Sequence, residues 1–119
     1  MLTIRKEQVE EFKRPAIKDF ENRMIEHIAK FFPKQFAELG EEKARRTIQY
    51  GIKRAKGYGI VTERDVCKYV NLMVACGPDF DRDPAHPWAR RVLNDPQVEG
   101  PSDRIERLVK AATENLPNR

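Results

Sequence analysis

The sequence VTERDVCKYVNLMVACG, residues 61–77, carries the strongest helix signal in this chain. Thr62 stands where an N-cap residue is expected, and Asp65 follows three positions later as an acidic stand-in for the glutamate of a capping box. Apolar residues then recur at three- and four-residue steps until Gly77 and Pro78 end the pattern. The inner face comprises Val66, Tyr69, Val70, Met73 and Val74, and the flank Cys67, Leu72, Ala75 and Cys76. Because the flank is apolar too, we predict a central, nearly encircled helix.

The same helical periodicity extends upstream. It predicts a long amphipathic first helix over about residues 5–32, kinked or broken near Pro15, because proline lacks the amide that an interior turn needs. Its stripe comprises Val9, Phe12, Phe20, Met24, Ile28 and Phe31. A short helical connector is predicted over residues 35–40, closed by Gly40. A further helix should begin near Glu41 and end in a basic turn before Gly57.

Downstream, residues 78–86 are rich in proline and aspartate and are predicted to be irregular. A short helix should start at about residue 84 or 87 and end near Leu93, and Ser102 is predicted to cap a last helix. Residues 115–119 are expected to fray. Because no stretch alternates with a period of two, we predict an all-α fold, a single compact domain of five or six helices over residues 1–119.

Composition sets further limits. The chain has 119 residues, of which 39% are hydrophobic and 35% charged, and its net charge is +4. Both signs of charge are abundant, which argues against a disordered like-charge tail. No apolar run is long enough for a membrane span or a signal peptide, so we expect a cytoplasmic protein with no membrane partner.

Three aspartates at alternate positions, Asp79, Asp81 and Asp83, resemble the start of a calcium-binding loop. However, Pro84 stands where such a loop requires glycine, and Arg90 stands where it requires a bidentate glutamate. We therefore expect these aspartates to cap helices and turns.

Zinc binding and cysteine catalysis have little support in the sequence. The candidate soft ligands, His27, Cys67, Cys76 and His86, share no short ligand spacing. Both cysteines fall on the predicted central helix, where small buried side chains are the ordinary interpretation. Together with the absence of a phosphate loop or nucleophile elbow, this predicts a protein with no metal, no cofactor and no catalytic activity.

The charge is unevenly distributed along the chain. Residues 1–59 hold 14 basic and 9 acidic side chains, and residues 60–119 hold 9 and 10. A candidate basic patch consists of Arg45, Arg46, Lys53, Arg54 and Lys56. Such a patch could contact phosphates, which keeps a small nucleic-acid-binding domain as one alternative. We do not expect nucleic acid as the main partner, because basic residues near a helix C-terminus also stabilise the helix dipole.

The segment around residues 77–93 has a composition suited to protein docking. Prolines limit the entropy lost on binding, and aromatic and arginine side chains supply much of the energy of protein interfaces. The predicted partner-binding residues are Tyr58, Phe80, Asp81, Arg82, Pro87, Trp88 and Arg91. The alternative for Phe80 and Trp88 is that they cover the small core.

Short segments spread over nearly the whole chain resemble a bacterial group. They are RKEQ at 5–8, FENRM at 20–24, FFP at 31–33, YGI at 50–52 and 58–60, DV at 65–66 with Tyr69, GPDFD at 77–81 and PWA at 87–89. The chain thus resembles small all-helical accessory proteins encoded beside type VI secretion spike proteins, VgrG or PAAR, and toxic effectors. No active site is carried over by this resemblance.

The resemblance implies a protein-binding accessory factor. Its role would be that of an adaptor, chaperone or co-chaperone that helps to load an effector onto the spike, with an effector, a larger adaptor or a spike component as the partner. An immunity protein that neutralises a cognate toxin is the nearest alternative in such gene neighbourhoods. Whether the chain forms a homo-oligomer stays open.

Overall fold

The computed structural model describes residues 14–115, which form five helices and no strand. The helices are α1 (Arg14–Phe31), α2 (Pro33–Gly57), α3 (Glu63–Cys76), α4 (Pro87–Leu93) and α5 (Pro101–Asn115). The all-α prediction is confirmed. Residues 5–13 of the predicted first helix lie outside the described residues, as do 116–119 of the predicted frayed end. Pro15 is the second residue of α1, so the chain on the upstream side of the predicted kink or break is not among the described residues. Within the described range, no helix combines the length and apolar character needed to cross a membrane.

Helix α3 occupies the centre, as its sequence pattern predicts. It packs against α1, α2 and α5, while α4 packs against α5. The Thr62 hydroxyl accepts a hydrogen bond from the Asp65 amide at 3.3 Å, which confirms the predicted N-cap. The enclosure is incomplete, because Cys67 and Cys76 are half-buried and Ala75 is exposed.

Two boundaries show how local sequence shapes the other helices. Gly40 interrupts α2 with a φ of 80°, a conformation that favours glycine, and so confirms the predicted break after the short connector. Ser102 lies within the first turn of α5, so its prediction as a simple N-cap is wrong. Its hydroxyl instead donates to the buried carboxylate of Asp65 at 2.7 Å and ties α5 to α3.

The predicted stripe on α1 enters the core through Phe20, Met24 and Ile28 but not through its last member. Phe31 is 60% exposed. The chain turns into α2 at this point, and the first part of α2, residues 33–39, contains no buried residue that could cover the ring. The apolar contact therefore ends one turn earlier than the periodicity suggests.

Candidate docking face and the polar cluster beneath it

The segment between α3 and α4 is a series of hydrogen-bonded turns. It leaves α3 at Gly77, whose φ of 115° suits glycine, and the Phe80 amide then donates to the Gly77 carbonyl at 3.1 Å. Farther along, the His86 amide donates to the carbonyl of Asp83 at 2.9 Å, and the Asp83 carboxylate accepts from the Ala85 amide at 2.9 Å. These bonds hold residues 77–86 as an ordered connection that positions α4.

The two aromatic residues predicted as surface anchors lie in the core. Phe80 is 0% and Trp88 4% exposed. Their rings lie 6.4 Å apart, and the Phe80 ring lies 5.2 Å from that of Tyr69 on α3. Their prediction as exposed docking anchors is therefore wrong, because the small helical core is completed by these two side chains.

Asp81, a third predicted docking residue, is also buried and lies in what we call the polar cluster, Arg54, Tyr58, Tyr69 and Asp81. Its Oδ2 atom accepts hydrogen bonds from the Arg54 guanidinium and, at 2.7 Å, from the Tyr58 hydroxyl. Burial, reinforced by the hydrogen bond to Asp81, raises the pKa of Tyr58 to about 12. The same carboxylate raises the pKa of Arg54. The cluster thus keeps a charged carboxylate paired inside the protein.

Of the three aspartates at alternate positions, Asp83 has the predicted turn-forming role, because its carboxylate accepts from the Ala85 amide. Asp79 and Asp81 instead accept hydrogen bonds from side chains. Asp79 accepts from the Tyr50 hydroxyl at 2.5 Å and from Arg82 at 3.3 Å, so a second, exposed network also joins α2 to the connecting segment. The hydrogen bond from Tyr50 is the main cause of the lowered pKa of Asp79, and it raises the pKa of Tyr50 in turn. No group of three potential metal-ligating side chains occurs among residues 14–115.

Three of the predicted partner-binding residues do lie together on the surface. Arg82, Pro87 and Arg91 are exposed, whereas Tyr58 is half-buried with its hydroxyl in the polar cluster. Arg82 borders a cleft of about 410 Å³, and Pro87 and Arg91 border an adjoining cleft of about 490 Å³. The two clefts share Asp83 and Pro84. The docking face, as we define it, comprises Arg82, Pro84, Pro87, Arg90 and Arg91.

Two members of the docking face, Pro84 and Arg90, are not among the residues predicted from the sequence, and Arg90 is the charged one. Arg90 follows Pro87 by three residues on α4, the spacing that brings helical side chains onto one face, and it is exposed like Arg91. The ion pairs found among the described residues include neither arginine. Their two positive charges therefore face solvent and are free to meet carboxylates.

Three of the five residues of the predicted basic patch on α2 are paired with acidic side chains. Arg54 belongs to the polar cluster, and Arg45 bonds to Glu21, Asn22 and Glu41. Arg46 lies 3.8 Å from Glu42, while Lys53 and Lys56 remain exposed on the outer side of the helix. Glu21, the partner of Arg45, is buried. The local sequence does not indicate this burial, because the two residues lie on different helices.

Among the candidates for nucleophilic chemistry, His27 and Cys67 border one groove of about 420 Å³ between α1 and α3. The His27 ring pairs with the Asn71 amide oxygen at 3.1 Å. Burial raises the pKa of the Cys67 thiol, which favours the unreactive protonated form. His86 and Cys76 do not line this groove, and the His86 ring instead lies 5.6 Å from that of Trp88.

The described residues thus form a small all-α protein with an arginine- and proline-rich surface on its short fourth helix and on the segment before that helix. Comparison with protein-family models, with curated protein sequences and with solved structures finds no match for this chain.

Proposed function

We propose that this chain is a non-catalytic accessory factor that binds an acidic segment of a bacterial type VI secretion effector on its docking face. The resemblance of the sequence to accessory proteins of this system supplies the biological setting. The observation that carries the binding mode is the exposed pair Arg90 and Arg91, which lines the cleft of about 490 Å³ together with Pro84, Pro87, Asn94 and the single acidic residue Asp83. Arginine is well suited to this role because its planar guanidinium binds carboxylates through two parallel hydrogen bonds.

The rigidity of the face supports the same proposal. Phe80 and Trp88 fix its underside in the core, and prolines at positions 84 and 87 restrict its backbone. A surface that is ordered before it meets a partner loses little conformational entropy on binding. The buried aromatic residues thus support docking indirectly, by holding the arginines in place.

Titration calorimetry with the effector and spike proteins encoded beside this chain tests the proposal. An Arg91→Ala variant should bind the effector at least about tenfold more weakly, the effect of losing a central arginine anchor. Lys53→Ala is a matched control, because Lys53 is an exposed cation on the outer side of α2, and its affinity should equal that of the unchanged protein. Both variants should retain the helical circular dichroism of the parent.

Two outcomes would contradict the proposal. If Arg90→Ala/Arg91→Ala binds as tightly as the unchanged protein, the docking face is not the binding surface. If no neighbour-encoded effector binds at all, the accessory role itself is wrong. A complex that blocks the effector's toxicity in the absence of the spike would instead indicate an immunity protein, and binding to nucleic acid at about 50 mM salt would favour the phosphate-binding alternative.

A further inference from the structure

The exposed ion pair between Arg82 and Asp79 lies in the smaller of the two clefts. Arg82 Nη2 lies 3.3 Å from Asp79 Oδ1 and 3.3 Å from the Tyr50 hydroxyl oxygen, and both charged side chains are 58% exposed. Both also line the cleft of about 410 Å³, which adjoins the larger cleft at Pro84. One guanidinium of the docking face is thus already bound to a carboxylate, and that carboxylate belongs to the protein itself.

The contact between the two side chains is weak. Within the described part of the chain, every hydrogen bond that the Arg82 guanidinium donates comes from Nη2, so the contact is not the two-bond geometry in which arginine binds a carboxylate best. An ion pair as exposed as this one contributes little to stability, because water screens both charges. A carboxylate that approached Arg82 with two parallel hydrogen bonds would therefore compete favourably with Asp79.

Asp79 can lose its contact with Arg82 and remain stabilised. The Tyr50 hydroxyl donates to Asp79 Oδ1 at 2.5 Å, and this bond, more than the contact with Arg82, lowers the pKa of Asp79. The Asp79 side chain is also open to water. Its charge therefore keeps a donor when Arg82 turns to another carboxylate, whereas the buried charge of Asp81 depends on Arg54.

We infer that Arg82 is a second carboxylate-binding position of the docking face, which Asp79 occupies in the free protein and an acidic residue of the partner occupies in the complex. Once a first carboxylate of the partner binds Arg90 and Arg91, a second one in the same segment is held near Arg82 at a high effective concentration and replaces Asp79. This second position rests on the proposed function and specifies its ligand as a segment with two separate acidic positions. The residues between them are not acidic, because Asp83 lines both clefts and would repel them.

Fluorescence anisotropy at low ionic strength with the labelled peptide EEGSGEE tests the second position, because the peptide has two acidic ends and a neutral spacer. Asp79→Asn should bind it about two- to fivefold more tightly than the unchanged protein, since Arg82 loses its competing carboxylate. In an Arg82→Gln background, the same change should leave the affinity unaltered. Glu42→Gln is the matched control. It frees Arg46, an exposed arginine that lines neither cleft, and should not change the affinity.

The Asp79→Asn variant should fold, because its side-chain amide oxygen can still accept from the Tyr50 hydroxyl, and circular dichroism checks this. The second position is wrong if Asp79→Asn gains no affinity, if its gain persists in the Arg82→Gln background, or if Glu42→Gln gains as much. In each of these cases, weaker binding by Arg91→Ala would leave the proposed function standing. If Arg91→Ala binds the peptide as tightly as the unchanged protein, or if the unchanged protein does not bind it, the docking face itself is wrong and the second position is wrong with it.

Discussion

Replacing Arg54 by methionine should destabilise the protein by about 3 kcal/mol, the lower end of the range for removing one partner of a buried ion pair. The reason is the group left behind. The Asp81 side chain is 0% exposed, so its charge would stay in the interior with the Tyr58 hydroxyl as its remaining donor. Arg54 itself is only 26% exposed, but methionine replaces much of the packing of its aliphatic stem, so the loss should come mainly from the unpaired charge. Urea denaturation followed by far-ultraviolet circular dichroism measures the free energy of unfolding.

Two further variants separate this mechanism from a general loss of side-chain contacts. Arg82→Met removes an arginine from an ion pair in which both side chains are 58% exposed, and its effect should be much smaller. The double variant Arg54→Met/Asp81→Leu removes both charges and should be less destabilised than Arg54→Met alone, because no unpaired charge is left inside. The reasoning is refuted if Arg54→Met unfolds at the same urea concentration as Arg82→Met, or if the double variant is the least stable of the three.

Other variants and conditions probe the remaining contacts. Gly51→Ala should lower the free energy of unfolding, measured by urea denaturation, by about 1–3 kcal/mol, because the added Cβ would lie 2.7 Å from Met73 Sδ. Gly57→Ala is the control and should leave the free energy of unfolding unchanged, because no atom lies within 4 Å of the added Cβ. Thr62→Ala should lower the free energy of unfolding by about 1 kcal/mol, because the variant lacks the N-cap hydrogen bond of α3. If this variant is as stable as the parent, the Thr62 cap does not stabilise the protein. Tyrosinate absorbance should rise near pH 12 for Tyr58 in the folded protein but near pH 10 in urea. The folded state favours the neutral phenol of Tyr58, so its contribution to stability is complete below pH 10 and is lost as the pH rises towards 12. Coincident tyrosinate titration curves for the folded and the urea-unfolded protein would contradict this.

The parts of the fold that sequence predicts well are those with local causes. Thr62 caps α3 because its hydroxyl reaches an amide three residues away, and Gly40 breaks α2 because it adopts a positive φ. Both causes act within one helical turn and are therefore visible in a short window of sequence. The apolar face of α3 follows from the same local periodicity.

The polar cluster could not be predicted in this way. Arg54 and Asp81 are 27 residues apart, and nothing in either local sequence indicates that they meet. The sequence shows Arg54 as one of several cations on α2 and Asp81 as one of three alternate aspartates. Only the packing of residues 77–86 against α2 assigns one of those aspartates to the interior and leaves Asp79 at the surface.

The burial of Trp88 decides how the docking face has to be mapped. Trp88→Ala should destabilise the protein by about 3–5 kcal/mol, since the side chain is 4% exposed and packs near Phe80. Such a loss is a large fraction of the stability of a small domain, so weaker partner binding by this variant would report unfolding instead of a lost contact. Arg91 lies on the outer side of the same helix and can be removed without opening the core. If Trp88→Ala kept full stability while losing the partner, Trp88 would be a contact residue and this division between core and docking face would be wrong.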